Sequence, residues 1–293
     1  MDLQTLLYGY YFRKGVIFLY KKIAAVSAAA ILLCGCTADK NTVGHSAEHD
    51  DRGGQTPAEA ALLTDSPEKV CYGQGYETDN ENRPVGALQA QEKYGEYGGI
   101  FIGDKDDKTI YLTFDEGYEN GCTGRILDIL KEKNVKATFY VTLDYVKSSP
   151  ELVSRMINEG HEVGNHTCTH PSLPDIGDEE VLDELNGLQQ YVSENFGGYK
   201  MSTMRPPRGE FSVRTLKAAK NAGYDTVLWS FAYNDWNVDD QPDREAAYKR
   251  ITSASHNGAV YLLHAVSETN TAILADVIDY WQENGYTVRS VTE

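Results

Sequence analysis

The sequence predicts an α/β fold built on a parallel β-sheet or barrel. From residue 68 to the end of the sequence, short apolar segments alternate with longer amphipathic ones. The segments Ile-Tyr-Leu-Thr-Phe at 110–114 and Ala-Val-Tyr-Leu-Leu at 259–263 are nearly continuous in apolar character. Such runs are typical of parallel strands that are buried on both faces. Repeated strand–helix units of this length therefore indicate a parallel sheet or barrel.

The individual elements follow from this alternation, in chain order. Strands are predicted at Thr109–Phe114, Lys136–Thr142, Glu162–Asn165, Ser202–Pro206, Thr226–Ser230, Ala259–His264 and Tyr286–Val291. Helices are predicted at Cys122–Lys133, at Pro150–Glu159, and near 178–194, 212–222, 243–255 and 269–284. Pro150 marks one helix start, because a proline in the first turn loses no hydrogen bond.

The composition excludes several classes of protein. Hydrophobic residues make up 41% of the 293 residues and aromatic residues 11%, which is too much for a disordered chain. A mean hydropathy of -0.47 excludes a multi-span membrane protein. The formal net charge of -17 argues against a nucleic-acid partner, because an acidic chain repels the phosphate backbone. We expect a monomeric globular protein of enzyme size.

Residues 1–36 are predicted to be a signal peptide with a lipobox. An apolar run from Ile23 to Leu33 follows a basic region formed by Arg13, Lys14, Lys21 and Lys22. The run is shorter than the about 20 residues that span a bilayer. Leu33-Cys34-Gly35-Cys36 resembles the lipobox of bacterial lipoproteins, which implies that Cys36 carries a lipid anchor. The alternative is an uncleaved signal anchor. In both cases the protein is exported and stays at the membrane, facing the cell wall or intermembrane space.

Residues 37–67 are predicted to be a polar tether, and residues 68–293 the folded domain. The tether is poor in large apolar side chains, and about thirty flexible residues have a reach of about 30 Å. His45 and His49 within it are expected to be solvated rather than to bind metal. Without residues 1–36, the chain carries 23 basic and 43 acidic side chains and is still more acidic.

Polar clusters stand at or just beyond the predicted strand ends, where α/β folds place their catalytic residues. They are Asp115-Glu116-Gly117, His166-Thr167-Cys168-Thr169-His170, Arg205-Pro206-Pro207-Arg208-Gly209, Asp235-Trp236 and His264. Because the carboxyl ends of parallel strands meet at one edge of the sheet, these clusters indicate a single site.

The histidine pair and the paired carboxylates point to a metal-dependent hydrolase. Two neutral imidazoles, one carboxylate and an open position form the usual catalytic zinc site. His166 and His170 would supply the imidazoles. Asp115 and Glu116 would point to opposite faces of a regular strand, but a turn at Gly117 could bring both into one cavity. One carboxylate could then bind the metal while the other abstracts a proton. Alternatively, the two acids lie in a surface turn. Cys168 could join the ligands or pack as a small buried residue.

In this order and spacing, these clusters resemble the five motifs of the polysaccharide deacetylases, which are carbohydrate esterase family 4 with the NodB homology domain. The motifs are Thr-Phe-Asp-Glu-Gly, His-Thr-Cys-Thr-His, Arg-Pro-Pro-Arg-Gly, Asp-Trp and Leu-Leu-His, and the resemblance covers about residues 85–293. It implies a distorted (β/α) barrel of about seven parallel strands. The segments Tyr118–Gly121 and Tyr94–Gly103, together with Arg208, are most similar to the delta-lactam-biosynthetic de-N-acetylases, which act on muramic acid in spore-cortex peptidoglycan.

The resemblance implies a role for each motif residue. Asp115 would be the general base, and Arg205 would orient it. His264 would be the general acid, held by Asp235. The remaining implied roles are metal binding by His166 and His170 and lining of the acetyl-methyl pocket by Leu262. Apart from the resemblance, Trp236 next to Asp235 is a candidate for substrate binding, because aromatic faces can stack on sugars, with packing in the core as the alternative. The implied cofactor is one divalent cation, with zinc expected and cobalt, manganese or magnesium as alternatives. Glu116 is a departure, because the broad family has Asp at this position and the muramic branch often has Asn.

The expected function is removal of the N-acetyl group from N-acetylmuramic acid of peptidoglycan, leading to muramic delta-lactam in the spore cortex. Arg208 is the predicted specificity residue, because arginine can bind the lactyl carboxylate of muramic acid bidentately. It could instead be a surface arginine after a Pro-Pro turn. One alternative function is deacetylation of N-acetylglucosamine in peptidoglycan or another glycan. The other is a non-catalytic, wall-binding lipoprotein.

Overall fold

The computed structural model describes residues 68–292. The predicted signal peptide, the lipobox with Cys36 and the predicted tether at 37–67 lie outside the described residues. No helix within residues 68–292 combines the length and the apolar character needed to cross a membrane.

The described residues form ten strands and eight α-helices. The strands are β1 (Val70–Cys71), β2 (Gly99–Ile100), β3 (Thr109–Glu116), β4 (Thr138–Val141), β5 (Glu162–Asn165), β6 (Thr203–Met204), β7 (Glu210–Phe211), β8 (Asp225–Val227), β9 (Ala259–His264) and β10 (Thr287–Arg289). The helices are α1 (Val85–Tyr94), α2 (Thr123–Glu132), α3 (Leu143–Ser148), α4 (Pro150–Asn158), α5 (Asp178–Asn195), α6 (Val213–Asn221), α7 (Arg244–Ser253) and α8 (Glu268–Glu283).

The strands assemble into one curled parallel sheet. Seven of them lie in the order β10-β3-β4-β5-β6-β8-β2, and β9 pairs with β3 as an eighth. The residues after β8 join β9, because Ser230 N donates to Val260 O and Leu262 N donates to Phe231 O, each at 2.9 Å. The predicted α/β fold with a distorted barrel of parallel strands is confirmed. A separate antiparallel pair joins β1 to β7.

The strand register places the predicted polar clusters side by side. Asp115 on β3 lies opposite His264 on β9. Asn165 on β5 pairs with Met204 on β6, so the residues that follow, His166 and Arg205, leave the sheet together. The parallel register therefore gathers residues from distant parts of the sequence at one edge.

Apolar side chains pack on both faces of the sheet. The main core contains fully buried residues such as Phe114, Phe139 and Trp281, and a second cluster of buried aromatic residues surrounds Phe101 and Phe211. The second cluster attaches the N-terminal segment of the described chain to the barrel. The sequence did not predict the helices α1 and α3 or the short strands β1 and β2.

Candidate active site

A cavity of about 830 Å³ opens at the carboxyl edge of the sheet. Among the predicted site residues, its lining includes Asp115, His166, His170, Arg208, Trp236, Leu262 and His264. Arg205 and Asp235 lie behind this lining and contact two of its members. Glu116 does not reach the cavity.

Asp115 faces the cavity at the end of β3 and is held by an arginine. Arg205 Nη1 donates to Asp115 Oδ1 at 2.8 Å, and His166 Nε2 lies 3.6 Å from Asp115 Oδ2. Burial alone would raise the pKa of Asp115, but the charges of Arg205, His166 and His264 outweigh it and lower this pKa below its usual value. Asp115 is therefore an ionised carboxylate at neutral pH, with Oδ2 directed toward the histidines.

Arg205 is fixed from every side. Its side chain is fully buried, Nε donates to Val227 O, and Nη2 donates to Leu228 O, both at 3.0 Å. The guanidinium carbon also lies 4.3 Å from the centre of the Tyr140 ring. These contacts satisfy a buried cation and fix the angle from which it grips Asp115.

His166 presents a free ring nitrogen to the cavity. Its Nδ1 lies 2.8 Å from the Arg205 carbonyl oxygen, and because a carbonyl can only accept, Nδ1 carries the proton. The lone pair is then on Nε2, the nitrogen that faces Asp115. Burial lowers the pKa of His166 despite the neighbouring Asp115, so the neutral ring is favoured.

His170 reaches the same cavity from a strained loop. Thr167 and His170 have φ angles of 69° and 60°, and Arg208 has 58°, although none of them is glycine. Left-handed backbone in a β-branched residue such as Thr167 is an outlier that persists only where surrounding contacts enforce it. Here Thr167 N donates to Asn165 Oδ1 and His170 N donates to Thr167 Oγ1. The His166 and His170 rings consequently lie 4.9 Å apart, centre to centre.

His166, His170 and Asp115 offer donors for a divalent cation. Burial lowers the pKa of His170 to about 4, so both imidazoles are neutral and available as nitrogen donors. In the described part of the chain, no three His, Cys, Asp or Glu residues form a complete cation-binding group. The two imidazoles beside the Asp115 carboxylate nevertheless have the donor chemistry of a zinc-type site, with Asp115, water or substrate supplying further oxygens. The chemistry of the donor set therefore fits such a cation.

Glu116 lies on the opposite face of β3. The strand continues through this residue, pairing it with Val141 of β4, so the turn that would have redirected it does not form there. Its carboxyl group is fully buried and accepts from Thr123 Oγ1 at 3.3 Å. Burial, followed by the charge of Glu119, raises the pKa of Glu116 well above its usual value. The structure thus separates Glu116 from the histidine pair with which the sequence had grouped it.

His264 and Asp235 form a second buried acid–base pair. His264 Nδ1 lies 2.7 Å from Asp235 Oδ1, and the His264 backbone N donates to Asp235 Oδ2 at 2.8 Å. Asn270 Nδ2 also donates to Oδ2. Burial alone would lower the pKa of His264, but the Asp235 carboxylate more than compensates and raises it. His264 is therefore poised to carry a proton into the cavity.

The remaining predicted site residues form the walls and rim. Leu262 is buried in the wall, whereas Trp236 is 57% exposed at the rim. Arg208 is also at the rim, where its Nη2 donates to Glu210 Oε2 at 3.0 Å. Its Nη1 has only a long 3.5 Å contact with the His170 carbonyl oxygen, so this end of the guanidinium can accept a ligand.

Three further lining residues were given no site role from the sequence, although Tyr118 and Gly209 belong to segments that it singled out. Trp229 lies in the wall, and its Nε1 donates to Gln74 Oε1 at 3.0 Å. Tyr118 is half exposed at the rim. A Cβ on Gly209, whose φ is 65°, would come within 2.6 Å of the Trp229 ring, so glycine is required there. Gly209 carried a signal as part of a motif, but no pattern in the sequence links Gln74 to Trp229.

The fold and the cavity define a class of protein, an α/β barrel with acid–base side chains and a histidine pair at its strand ends. The sequence model of the family described as polysaccharide deacetylase matches residues 102–227. The chain is also 41% identical over 214 residues to the peptidoglycan-N-acetylmuramic acid deacetylase PdaA of Bacillus subtilis, covering 73% of this chain and 81% of that protein. The chain therefore belongs to the polysaccharide deacetylase family, and the predicted membership is confirmed.

Two further comparisons complete this assignment. The solved structure of Bacillus subtilis PdaA, described as a family 4 carbohydrate esterase, matches with a TM-score of 0.73 and 39% identity, covering 77% of this chain and 96% of that one. The peptidoglycan-N-acetylglucosamine deacetylase PgdA of Listeria monocytogenes is 34% identical over 191 residues, which are 64% of this chain and 39% of that protein.

Proposed function

We propose that this protein hydrolyses the N-acetyl group of N-acetylmuramic acid residues in peptidoglycan. The observation that carries the proposal is a single cavity faced by an ionised carboxylate, Asp115, and by a histidine with a raised pKa, His264. A base and an acid on one cavity suit amide hydrolysis, which needs a proton removed from water and a proton delivered to the leaving nitrogen. The identity to the muramic acid deacetylase PdaA supports the substrate.

The chain's own residues account for the proton transfers. Asp115 accepts a proton from the attacking water, whose oxygen bonds to the acetamide carbonyl carbon. His264 then donates its proton to the nitrogen as the C–N bond breaks, which gives acetate and a free amine. Arg205 keeps Asp115 in place, and Asp235 keeps His264 protonated and oriented. Leu262 would line the site of the acetyl methyl group.

A divalent cation would complete this site, held by His166 and His170 and with zinc as the expected metal. When bound, it would polarise the acetamide carbonyl and acidify the attacking water. The His166 and His170 rings are neutral, so each can offer a nitrogen lone pair to the cation. The Arg205 carbonyl oxygen fixes the His166 tautomer.

Arg208 supports the choice of muramic acid over N-acetylglucosamine. Muramic acid differs from glucosamine by a lactyl ether with a carboxylate, which matches a guanidinium at the rim. Glu210 holds one side of Arg208 and leaves Nη1 toward the cavity. Trp236, which is exposed at the rim of the same cavity, would stack on a sugar face.

Product analysis tests the proposal. Purified protein is incubated with peptide-free and with peptide-bearing glycan, the glycan is digested, and mass spectrometry shows which sugar has lost its acetyl group. Loss from muramic acid is expected. Loss from N-acetylglucosamine alone would favour the alternative function, deacetylation of N-acetylglucosamine, which is the activity named for PgdA of Listeria monocytogenes. No turnover and no bound metal after supply of zinc, cobalt or manganese would favour a wall-binding role.

Arg208→Ala tests the specificity. We expect metal content to be unchanged and muramic deacetylation to fall, because the variant loses the contact with the lactyl carboxylate, and the ion pair to Glu210 that it also loses lies at the rim. Arg244→Ala, which removes an exposed arginine at the start of α7, is the matched control. Unchanged turnover of Arg208→Ala on cortex-type glycan would contradict this role.

The cellular setting is part of the same proposal. The freed amine would lie near the lactyl carboxylate of the same sugar, so closure to the delta-lactam of spore cortex is sterically reasonable. Export and a lipid anchor at Cys36 would hold the enzyme among the glycan strands. Cys36→Ala should release the protein from the membrane fraction, and retention there would contradict the anchor.

A further inference from the structure

The active-site cavity continues into a second cavity of about 650 Å³, here called the outer cavity. The two cavities share lining residues, which are Gly73, Gln74, Ala232, Tyr233 and Asn234. Beyond this shared strip, the outer cavity is lined by Gly75, Tyr76, Pro242, Ala246, Ala247 and Arg250. The two cavities therefore form one groove that extends well past the site of the chemistry.

A single side chain bridges the two walls of the groove at the shared strip. Gln74 Nε2 donates to Ala232 O at 3.1 Å, and Gln74 Oε1 accepts from Trp229 Nε1 at 3.0 Å. Its neighbours at the strip, Gly73 and Ala232, are small. These contacts fix the shape of the strip that the two cavities share.

The outer cavity carries a positive charge in an acidic protein. Arg250 is its one charged lining residue, and no ion pair to its guanidinium is found within residues 68–292. Its guanidinium carbon lies 5.9 Å from the centre of the Tyr233 ring. That ring is itself anchored by a hydrogen bond from Tyr233 Oη to Asn270 Oδ1. An unpaired arginine on a chain of net charge -17 favours an anionic ligand.

The outer cavity also presents an aromatic face. Tyr76 lines this cavity and is 94% exposed, so its ring is accessible to a ligand there. Aromatic rings at sugar-binding sites stack on the apolar faces of pyranoses. An exposed ring and an unpaired arginine together match a sugar that carries a carboxylate.

We propose that the outer cavity binds a second muramic residue of the same glycan strand, with Arg250 pairing with its carboxylate and Tyr76 stacking on the sugar. This inference rests on the proposed function, since a strand that alternates glucosamine and muramic acid places a second carboxylate beyond the residue being deacetylated. The carboxylate belongs to the free lactyl group in peptide-free glycan and to the stem peptide in peptide-bearing glycan. The enzyme would thereby prefer strands over single disaccharides.

Arg250→Ala tests the inference, with Lys249→Ala as the matched control. Both side chains are exposed on the last turns of α7 and carry the same charge, but only Arg250 lines the groove. On a tetrasaccharide with two muramic residues, we expect Arg250→Ala to raise KM by about tenfold with kcat unchanged. On a disaccharide with one muramic residue, neither variant should differ from the parent. Peptide-free and peptide-bearing tetrasaccharides show which carboxylate is bound.

Two outcomes would overturn the inference, namely an equal effect of Arg250→Ala on both substrates or no effect on either. Calorimetry with the tetrasaccharide separates this result from failure of the proposed function. If no muramic deacetylation occurs but Arg250→Ala still weakens tetrasaccharide binding, the function is wrong and the subsite stands. If deacetylation occurs and the parent and Arg250→Ala bind the tetrasaccharide equally, the subsite is wrong.

Discussion

Replacing Asp235 by Asn should remove the proton that His264 delivers. In the parent, the Asp235 carboxylate accepts from the His264 backbone, from the His264 ring and from Asn270. Asn offers one oxygen instead of two, and that oxygen is claimed by the two donors at Oδ2. The amide NH₂ would then face His264 Nδ1, so the ring loses the carboxylate that raises its pKa.

The contact between the Asp235 carboxylate and the His264 ring determines how the activity of Asp235→Asn should change and by how much. Without the carboxylate, burial dominates and the pKa of His264 falls, so the alkaline limb of kcat/KM moves to lower pH. General acid catalysis is typically worth about 10²–10⁴-fold in rate, which corresponds to about 3–5 kcal/mol of barrier. Because the lowered pKa of Asp115 keeps the base ionised in mildly acidic solution, activity should recover in part at about pH 6.

The assay is the pH profile of kcat/KM for parent and variant on the same glycan, with circular dichroism to confirm folding. Asp240→Asn is the matched control, since it removes an exposed carboxylate from the same loop. The parent should give a bell-shaped profile. An Asp235→Asn enzyme with the parent's alkaline limb and parent-like turnover would refute the assignment of His264 as the acid.

Three further predictions concern Glu116, His170 and Gly209. Glu116→Gln should leave metal content and kcat close to the parent values, because the buried carboxyl group faces Thr123 and Gln is isosteric with its protonated form; loss of metal by elemental analysis would make Glu116 a ligand. His170→Ala should lower metal content while the fold persists, and an unchanged metal content would exclude His170 as a ligand. Gly209→Ala should lower the free energy of unfolding by about 1–3 kcal/mol in a urea titration, because its φ of 65° and the nearby Trp229 ring both oppose a Cβ, and a neutral result would show that the loop can relax.

Much of the fold could be predicted because long buried strands carry their own signal. The bounds of β5 and β9 coincide with those predicted, and in β9 a run of apolar residues ends at the polar His264. The two-residue strands β1 and β2 could not be found in this way. They are ordered by tertiary partners, such as the pairing of Val70 with Phe211, and not by local propensity.

Some residues of the candidate site could be predicted from local sequence, whereas others are positioned only by tertiary contacts. Asp115, His166 and His264 follow strand ends, so parallel topology alone brings them together. Glu116 also follows that pattern in the sequence, yet β3 extends two residues beyond the predicted end at Phe114. Since side chains alternate along a strand, regular pairing through both acids turns the Glu116 carboxylate away from the cavity that Asp115 faces. Gln74 contacts Trp229 across 155 positions of sequence, and only the folded chain reveals that pair.

The charges of the groove explain how an acidic protein could recognise an anionic glycan. The net charge of -17 repels such a substrate at long range, so attraction has to be local. Arg205 is fully buried and hydrogen-bonded to Asp115 and two carbonyl groups, so it does not contact the substrate. Arg208 is half neutralised by Glu210, which suits a contact that must select a carboxylate yet release product. Arg250, in the outer cavity, has no ion pair within residues 68–292. A strand bound at both arginines would be held in position while the acetyl group of a muramic residue meets Asp115 and His264. The Arg208→Ala and Arg250→Ala measurements separate the contribution of the arginine at the reacting sugar from that of the arginine at the second muramic residue.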